Sequence, residues 1–326
     1  MPLPNNPKGK SSPLPTLKTI KTTRNRILAK PKIILSASRR TDIPGWYTPW
    51  FLDCIDQGYF TVTNPFNQKS RKVDATQDKV HTIVFWSKNF KPFLGLNAHK
   101  ILADKGYNLF FNFTITPPDP LLEPGIPDLD SRLAQAEQLC SAFDPSQITW
   151  RFDPICAYQY QGESKTNLDG FEYILKALSA MGISRCVTSF YDPYKKVNLR
   201  IRKMKNSGPF DLEFLPLNSQ TQTQVIQKMG KQAESKQMEL FLCCQGDLAR
   251  KLTAETNVME NACINGRLYK KLFGGNPETA GDYGQRRQQG CKCTRSVDVG
   301  SYDLHPCFHN CLFCYARTGQ DLKPDK

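Results

Sequence analysis

Lys32-Ile-Ile-Leu-Ser-Ala-Ser-Arg-Arg-Thr-Asp42 runs from a short apolar, β-rich stretch straight into a polar loop with two arginines and an aspartate. The same juncture recurs along the chain. Runs at 32–36, 60–63, 82–86, 109–115, 148–152, 186–190, 239–242 and 296–302 read as strands. Between them lie helical patterns at 131–143, at 171–178 behind Asp169 as N-cap with Gly182 as stop, and at 221–237. Strands alternating with helices imply parallel pairing and an α/β layer or barrel. Six strand ends carry chemically equipped loops: Ser36–Asp42, Asn64–Asn67, Ser87–Asn89, Thr114–Asp119, Arg151–Pro154 and Ser189–Pro193. Any one of these is explained by ordinary turn chemistry. Six in succession predict a shared site at the C-terminal ends of barrel strands. The expected fold is therefore a (β/α) barrel, partial or full and TIM-like.

The chain has 326 residues, 39% of them hydrophobic and 23% charged, enough for one large core. No apolar run is long enough to cross a bilayer, and no apolar h-region with a cleavage site is visible, so a cytoplasmic protein without a membrane partner is expected. Residues 1–30 are rich in proline and lysine and hold no acid, which predicts a disordered basic tail before a single domain at 31–326; a transit peptide is the alternative. The formal net charge of +14 is local. It sits in that tail, in the acid-free stretch Lys195–Lys205, and in Arg286, Arg287, Lys292 and Arg295; elsewhere acids slightly outnumber bases. Such patches either dock an acidic partner, nucleic acid included, or are solvated faces.

Twelve cysteines without a secretory signal suggest free thiols available to metals. Cys307-Phe-His-Asn-Cys311-Leu-Phe-Cys314 has C-x3-C-x2-C spacing, with Phe313 directly before the last cysteine. Three thiolates on one tight loop can hold three irons of a [4Fe–4S] cube and leave the fourth iron without a protein ligand. The competing reading is zinc, with His305 or His309 as fourth ligand. Cys54, Cys140, Cys156 and Cys186 read as buried or incidental thiols.

The Cys307–Cys314 motif resembles that of the radical S-adenosylmethionine (SAM) superfamily, whose cluster loop usually follows the first barrel strand. Here the strand at 296–302 leads into it, so the resemblance implies a circularly permuted barrel, with 296–302 spatially first and 32–36 beside it. The runs Ser36–Pro44, Asn64–Asn67, Phe85–Asn89, Trp150–Ile155 and Cys307–Ala316 also resemble those of a bacterial family known as domain of unknown function 1848, noted for a radical-SAM-like C-terminal cysteine cluster. That resemblance implies a [4Fe–4S] cluster and a SAM site, with an electron donor of flavodoxin or ferredoxin type, and leaves the substrate unnamed. Cys244, Cys263, Cys291 and Cys293 fit the same family pattern and imply a second site, an auxiliary cluster or zinc, with Cys243 as alternative to Cys244. Asn265 stands where the family pattern has an aspartate. Because Cys293 precedes a strand and Cys244 follows one, the four meet only if one segment bends back.

In the permuted order the loop Ser36–Asp42 takes the place where superfamily members hold the SAM amino group. Ser38 and Asp42 are expected to accept from that amino group, and Arg39 or Arg40 to pair the carboxylate. Lys88, Asn112, Arg151 and Asp153 are expected to face the substrate, the last two on one strand face by the period of two. The alternative for that pair is a buried ion pair. Trp86 and Trp150 are candidates for stacking on a flat ligand, or for the core.

Overall fold

The computed structural model describes residues 1, 30–64, 67–253 and 256–316. Nearly all of the basic Pro-rich segment, and Pro65 and Phe66 of the Asn64–Asn67 loop, lie outside the described residues. In chain order the described strands are β1 (Ile33–Ser36), β2 (Tyr59–Thr63), β3 (Ser70–Asp74), β4 (Val80–Ser87), β5 (Asn108–Thr114), β6 (Ile148–Ile155), β7 (Ala157–Tyr160), β8 (Glu163–Thr166), β9 (Arg185–Phe190), β10 (Leu212–Phe214), β11 (Glu239–Leu242), β12 (Met259–Glu260) and β13 (Val297–Asp298).

Eight of them form one sheet in the order β12-β11-β9-β6-β5-β4-β1-β13, and every pairing in it is parallel. Counted from β13, each neighbour is the next sheet strand along the chain. β13 lies beside β1, with Leu35 opposite Val297 and Ser36 opposite Asp298, the neighbour relation expected for 296–302. Its ladder is only two residues long, and the Val299 amide extends it by donating to the Ser36 carbonyl at 3.0 Å.

The expected strand at 60–63 is real but does not join this sheet. β2 pairs antiparallel with β3 as a hairpin. Its burial alternates, with Phe60 and Val62 buried and Thr61 exposed, the one-sided pattern of an antiparallel ribbon. Strands β4 and β5 are buried on both faces, as a covered parallel sheet requires. The eighth place is taken by β12, too short to be recognised as an apolar run.

Alternate residues feed two separate cores. Leu35, Phe85, Phe111, Phe113, Trp150 and Phe152 pack on one face with the helices. Ile34, Val84 and Phe110 pack on the other with Tyr269, Ile264, Cys291 and Cys293. That second face carries the polar residues next in parity: Ser36, Trp86, Asn112, Arg151 and Asp153. The helices Leu129–Ala142 and Ser219–Glu234 are started by Asp128 and Asn218, whose side chains accept from the Ser131 and Thr221 amides. Asp169 is not a cap; it lies in the short turn Leu168–Gly170, and Gly170 precedes the helix Phe171–Ala180.

Among the described residues no ladder joins β12 to β13, so the sheet is open rather than a closed barrel. Its two edges are nonetheless linked by the segments beside them. The Thr294 amide donates to the Ile264 carbonyl at 3.0 Å, the Gly266 amide to Thr294 Oγ1 at 3.1 Å, and Lys292 pairs Glu260 at 3.1 Å.

His81 and His99 lie in or against the sheet, and burial holds both imidazoles below the ordinary histidine pKa. The unfolded chain therefore binds more protons than the folded one as pH falls through that ordinary value, near 6.5, and stability drops in the same window. Urea midpoints are expected to be lower near pH 5.5 than near pH 7.5, a difference that shrinks in His99→Gln. An undiminished difference in that variant removes His99 as a source of the acid sensitivity.

Candidate functional site

The cysteine loop is clasped from several sides at the C-terminal end of the sheet. Asp42, beyond β1, caps the helix Ile43–Trp46 by accepting from the Gly45 amide at 2.9 Å. Its second oxygen accepts from Ser87 Oγ at 2.8 Å and the Lys88 amide at 3.2 Å, both at the end of β4, and lies 2.8 Å from His309 Nε2. His309 Nδ1 faces the Gly125 carbonyl at 3.1 Å. A carbonyl and a carboxylate only accept, so each imidazole nitrogen faces an acceptor oxygen of the protein. His309 is thereby engaged at both nitrogens in holding the loop. His305 accepts from the Ser301 amide at 3.1 Å through Nδ1 and packs on Trp50 with ring centroids 4.1 Å apart.

The loop after β5 forms another wall. Gly125 allows it: a Cβ there would stand 2.8 Å from backbone atoms of His309 and Phe308. The Leu312 amide donates to the Leu122 carbonyl at 2.8 Å, and Tyr47 Oη to the Pro306 carbonyl at 2.6 Å. From the basic helix Lys195–Ser207, Arg200 reaches the carbonyls of Leu312 at 2.6 Å and Cys314 at 3.1 Å.

Beneath the thiols lies a buried ion pair, Lys88 with Glu123. Glu123 also accepts from Thr116 Oγ1 at 2.7 Å and stands 3.7 Å from Cys311 Sγ, while Lys88 Nζ lies 5.4 Å from the Phe313 ring centroid. Burial opposes both charges and is the largest single influence, but the partner's charge and the surrounding hydrogen bonds and charges together outweigh it: Lys88 titrates above its ordinary range and Glu123 below. Burial, reinforced by Glu123 at Cys311 and Asp42 at Cys307, pushes those two thiols up, so metal binding there must displace protons.

Across the inner face a second set of thiols meets. Cys243 Sγ is 3.3 Å from Cys263 Sγ and 3.8 Å from Cys244 Sγ. Cys244 also contacts Cys291, Cys291 contacts Cys293, and Cys293 contacts Cys263. The segment before β13 is the one that bends back. Gly290, at φ +88°, passes so close to Gly246 that a Cβ would lie 2.5 Å from its backbone, and this brings Cys291 over the end of β11. The sulfurs pack against one another, and among the described residues no group of three or more His, Cys, Asp or Glu side chains is already set round a metal position.

The side chains expected to bind SAM have protein partners of their own. Four protein donors meet Asp42, which is buried, and through His309 it anchors the cysteine loop. Arg39 pairs Asp298 at 3.4 Å and Asp282 at 3.8 Å, and Arg40 donates to the carbonyls of Thr63 at 2.8 Å and Gly300 at 3.3 Å, in each case through Nη1. Ser38 Oγ turns back on the Ala37 carbonyl. Trp150 is core, its Nε1 donating to the Ile115 carbonyl at 2.8 Å and its ring stacked on Phe171. Trp86 keeps the inner face, beside the Arg39 guanidinium at 5.9 Å.

Arg151 and Asp153 do share the inner face, as an ion pair. Arg151 also donates to Cys263 Sγ at 3.0 Å, and Ser189 Oγ donates to Asp153. On the same face Ser36 Oγ and Asn112 Nδ2 are buried without a protein partner. Unpartnered buried polar atoms are costly. Glu123 is not marked by the sequence, Ser189 only as the start of the Ser189–Pro193 loop, and Arg200 only as part of the basic stretch Lys195–Lys205. The role of each arises from a partner between 7 and 114 residues away.

Residues 34–316 match the family described as Domain of unknown function (DUF1848), from β1 through the cysteine loop. The chain belongs to the DUF1848 family. No curated protein matches it. Among solved structures, a D-hydantoinase is similar at 12% identity and a TM-score of 0.30, over 55% of this chain and 38% of that one. A D-allulose 3-epimerase from Methylomonas sp. is similar at 10% identity and a TM-score of 0.29, over 70% of this chain and 62% of that one. The DUF1848 chain thus spans less than two thirds of either, and superpositions this loose say nothing of its activity.

Asp42→Ala strips the Gly45 and Lys88 amides, Ser87 and His309 of a shared acceptor. A loss on the order of 3 kcal/mol is expected in urea unfolding, since buried donors left unpaired cost roughly 1–3 kcal/mol each. A loss no larger than that of a surface substitution removes Asp42 from its anchoring role.

Proposed function

We propose that the protein is a radical SAM enzyme, its sheet a permuted radical-SAM-type barrel with β13 as first strand and β1 as second. The observation that carries this reading is the cysteine loop itself. Cys307, Cys311 and Cys314 stand on one loop at the C-terminal edge of a parallel sheet, and His309, the nearest imidazole in sequence to serve as a fourth ligand, has both nitrogens committed to Gly125 and Asp42. The donor set fits a [4Fe–4S] cluster better than four-coordinate zinc, which needs one more nitrogen or thiolate.

Held there, such a cluster supplies the electron that splits SAM into methionine and a 5′-deoxyadenosyl radical. The chain's own part is binding, orientation and exclusion of water. Lys88 and Glu123 keep a fixed pair of charges against Cys311 without a net charge. Trp86, Ser36 and Asn112 line the inner face with one flat ring and two unspent polar groups, suited to a ligand with an aromatic base and hydroxyls. Arg151 and Asp153, braced by Ser189, are the charged groups on the substrate side; the substrate class is organic and polar. An electron donor of flavodoxin or ferredoxin type completes the cycle.

A nucleic-acid-directed form of the same chemistry is the second reading. It is favoured by the helix Lys195–Ser207, which exposes Lys195, Lys196, Arg202, Lys203 and Lys205 while its Arg200 grips the cysteine loop. Binding that weakens steeply with salt supports it; no binding to single- or double-stranded DNA or RNA at low salt removes it.

After anaerobic reconstitution with iron and sulfide and reduction in the presence of SAM, 5′-deoxyadenosine is expected from the native chain and none from Cys311→Ser. Its absence from native protein with a full iron and sulfide complement overturns the proposal.

A further inference from the structure

The five thiols opposite the cysteine loop have no part in the reading above, yet they occupy a telling place in the fold. β12 and β13 are the two edges of an open sheet. Cys244 follows β11 and Cys263 follows β12, at one edge, while Cys291 and Cys293 arrive on the segment that leads into β13, at the other. The sulfurs meet just where the ladder fails to close.

We propose that Cys244, Cys263, Cys291 and Cys293 hold one tetrahedral metal ion of the zinc class, which fastens the two edges of the sheet, and that Cys243 is not a ligand. Three observations support it. The first is spacing. With metal–sulfur bonds of about 2.3 Å, a tetrahedral site separates its sulfurs by about 3.8 Å. The four thiols already touch in succession, Cys244 with Cys291, Cys291 with Cys293 and Cys293 with Cys263, while Cys243 stands beside them at 3.3 Å from Cys263 and 3.8 Å from Cys244. An iron–sulfur cube sets iron and sulfide between its thiolates and holds them much further apart. Exchanging S–H···S contacts for metal bonds thus asks for side-chain rotation rather than backbone movement.

The second is charge. Four thiolates and a divalent ion leave two negative charges, and three guanidiniums surround the group. Arg151 donates to Cys263, Arg39 lies within electrostatic reach of Cys293 and Cys263, and Arg286 within reach of Cys244 and Cys243. Each arginine is tied on its far side to a carboxylate: Asp153, Asp298 and Asp192 respectively. This is the arrangement of second partners that orients and neutralises metal-bound thiolates.

The third is strain at one cysteine. Cys244 has φ +55°, a left-handed conformation unfavourable for a residue with a Cβ. The twist takes Cys244 off the line of β11 and sets its thiol against Cys291. Cys243 still belongs to the ladder, its amide donating to the Thr188 carbonyl at 2.9 Å. The strained residue is therefore the ligand and its neighbour the spare.

The test separates this clasp from the catalytic reading by using the full-length chain with Cys307, Cys311 and Cys314 all changed to serine. Metal analysis of that variant is expected to give one zinc and no inorganic sulfide per chain. Replacing zinc with cobalt(II) is expected to give thiolate charge-transfer and tetrahedral d–d bands, and chelation to lower the thermal midpoint and open the segment 282–294 to protease. Cys243→Ala retains the metal, whereas Cys263→Ala loses it. If Cys263→Ala does not fold, the cobalt spectrum and the sulfide count on the parent variant still decide. Iron with equivalent sulfide in that variant, a chain with no bound metal and a midpoint indifferent to chelator, or metal lost in Cys243→Ala and kept in Cys244→Ala each overturns the proposal.

Discussion

The carboxylate of Asp42 is where the molecule is tied together. It joins the loop after β1 to the end of β4 through Ser87 and Lys88, and both to the cysteine loop through His309. These parts are far apart in sequence, and a buried negative charge is stable only when fully met by donors. That requirement works in both directions. The donors fix Asp42, and Asp42 holds three strand-end loops in one register, which sets where Cys307 and Cys311 point. His309, which in the sequence looks like a metal ligand, is the third of those donors.

The inner face repeats the principle. Lys88 with Glu123, Arg151 with Asp153, and Arg39 with Asp298 place six charges in or near the interior as three neutral pairs. Buried pairs contribute little net stability, and breaking one leaves an uncompensated charge. They are better understood as rigid dipoles with fixed geometry, set on parallel strands whose outer face is a continuous packing of phenylalanines. The aromatic layer supplies the stability, and the polar layer is free to be specific.

An all-parallel sheet has no hairpin to close it, so its edges need cover. Here the cover is the pair of segments at 260–266 and 282–294, which bring cysteines, Glu260 with Lys292, and backbone hydrogen bonds to one seam. The seam lies on the same face as Arg151 and Trp86, so whatever fixes it also shapes the space available to a ligand. DUF1848 membership covers the whole of this arrangement, from β1 to the cysteine loop.

Local pattern was enough for much of this. The period of two put Arg151 and Asp153 on one face, apolar runs marked seven of the eight sheet strands, and the spacing of Cys307, Cys311 and Cys314 singled out the loop that the fold carries to the strand ends. These are properties of short stretches, and short stretches determine them. Tertiary structure alone decided the rest: that β2 leaves the sheet, which partners Arg39, Arg40 and Asp42 take, that Glu123 is the partner of Lys88, and that Gly290 against Gly246 folds Cys291 back over β11. Each depends on a partner distant in the chain, and which distant groups meet is set by packing and by the pairing of buried charges, neither of which leaves a local signature.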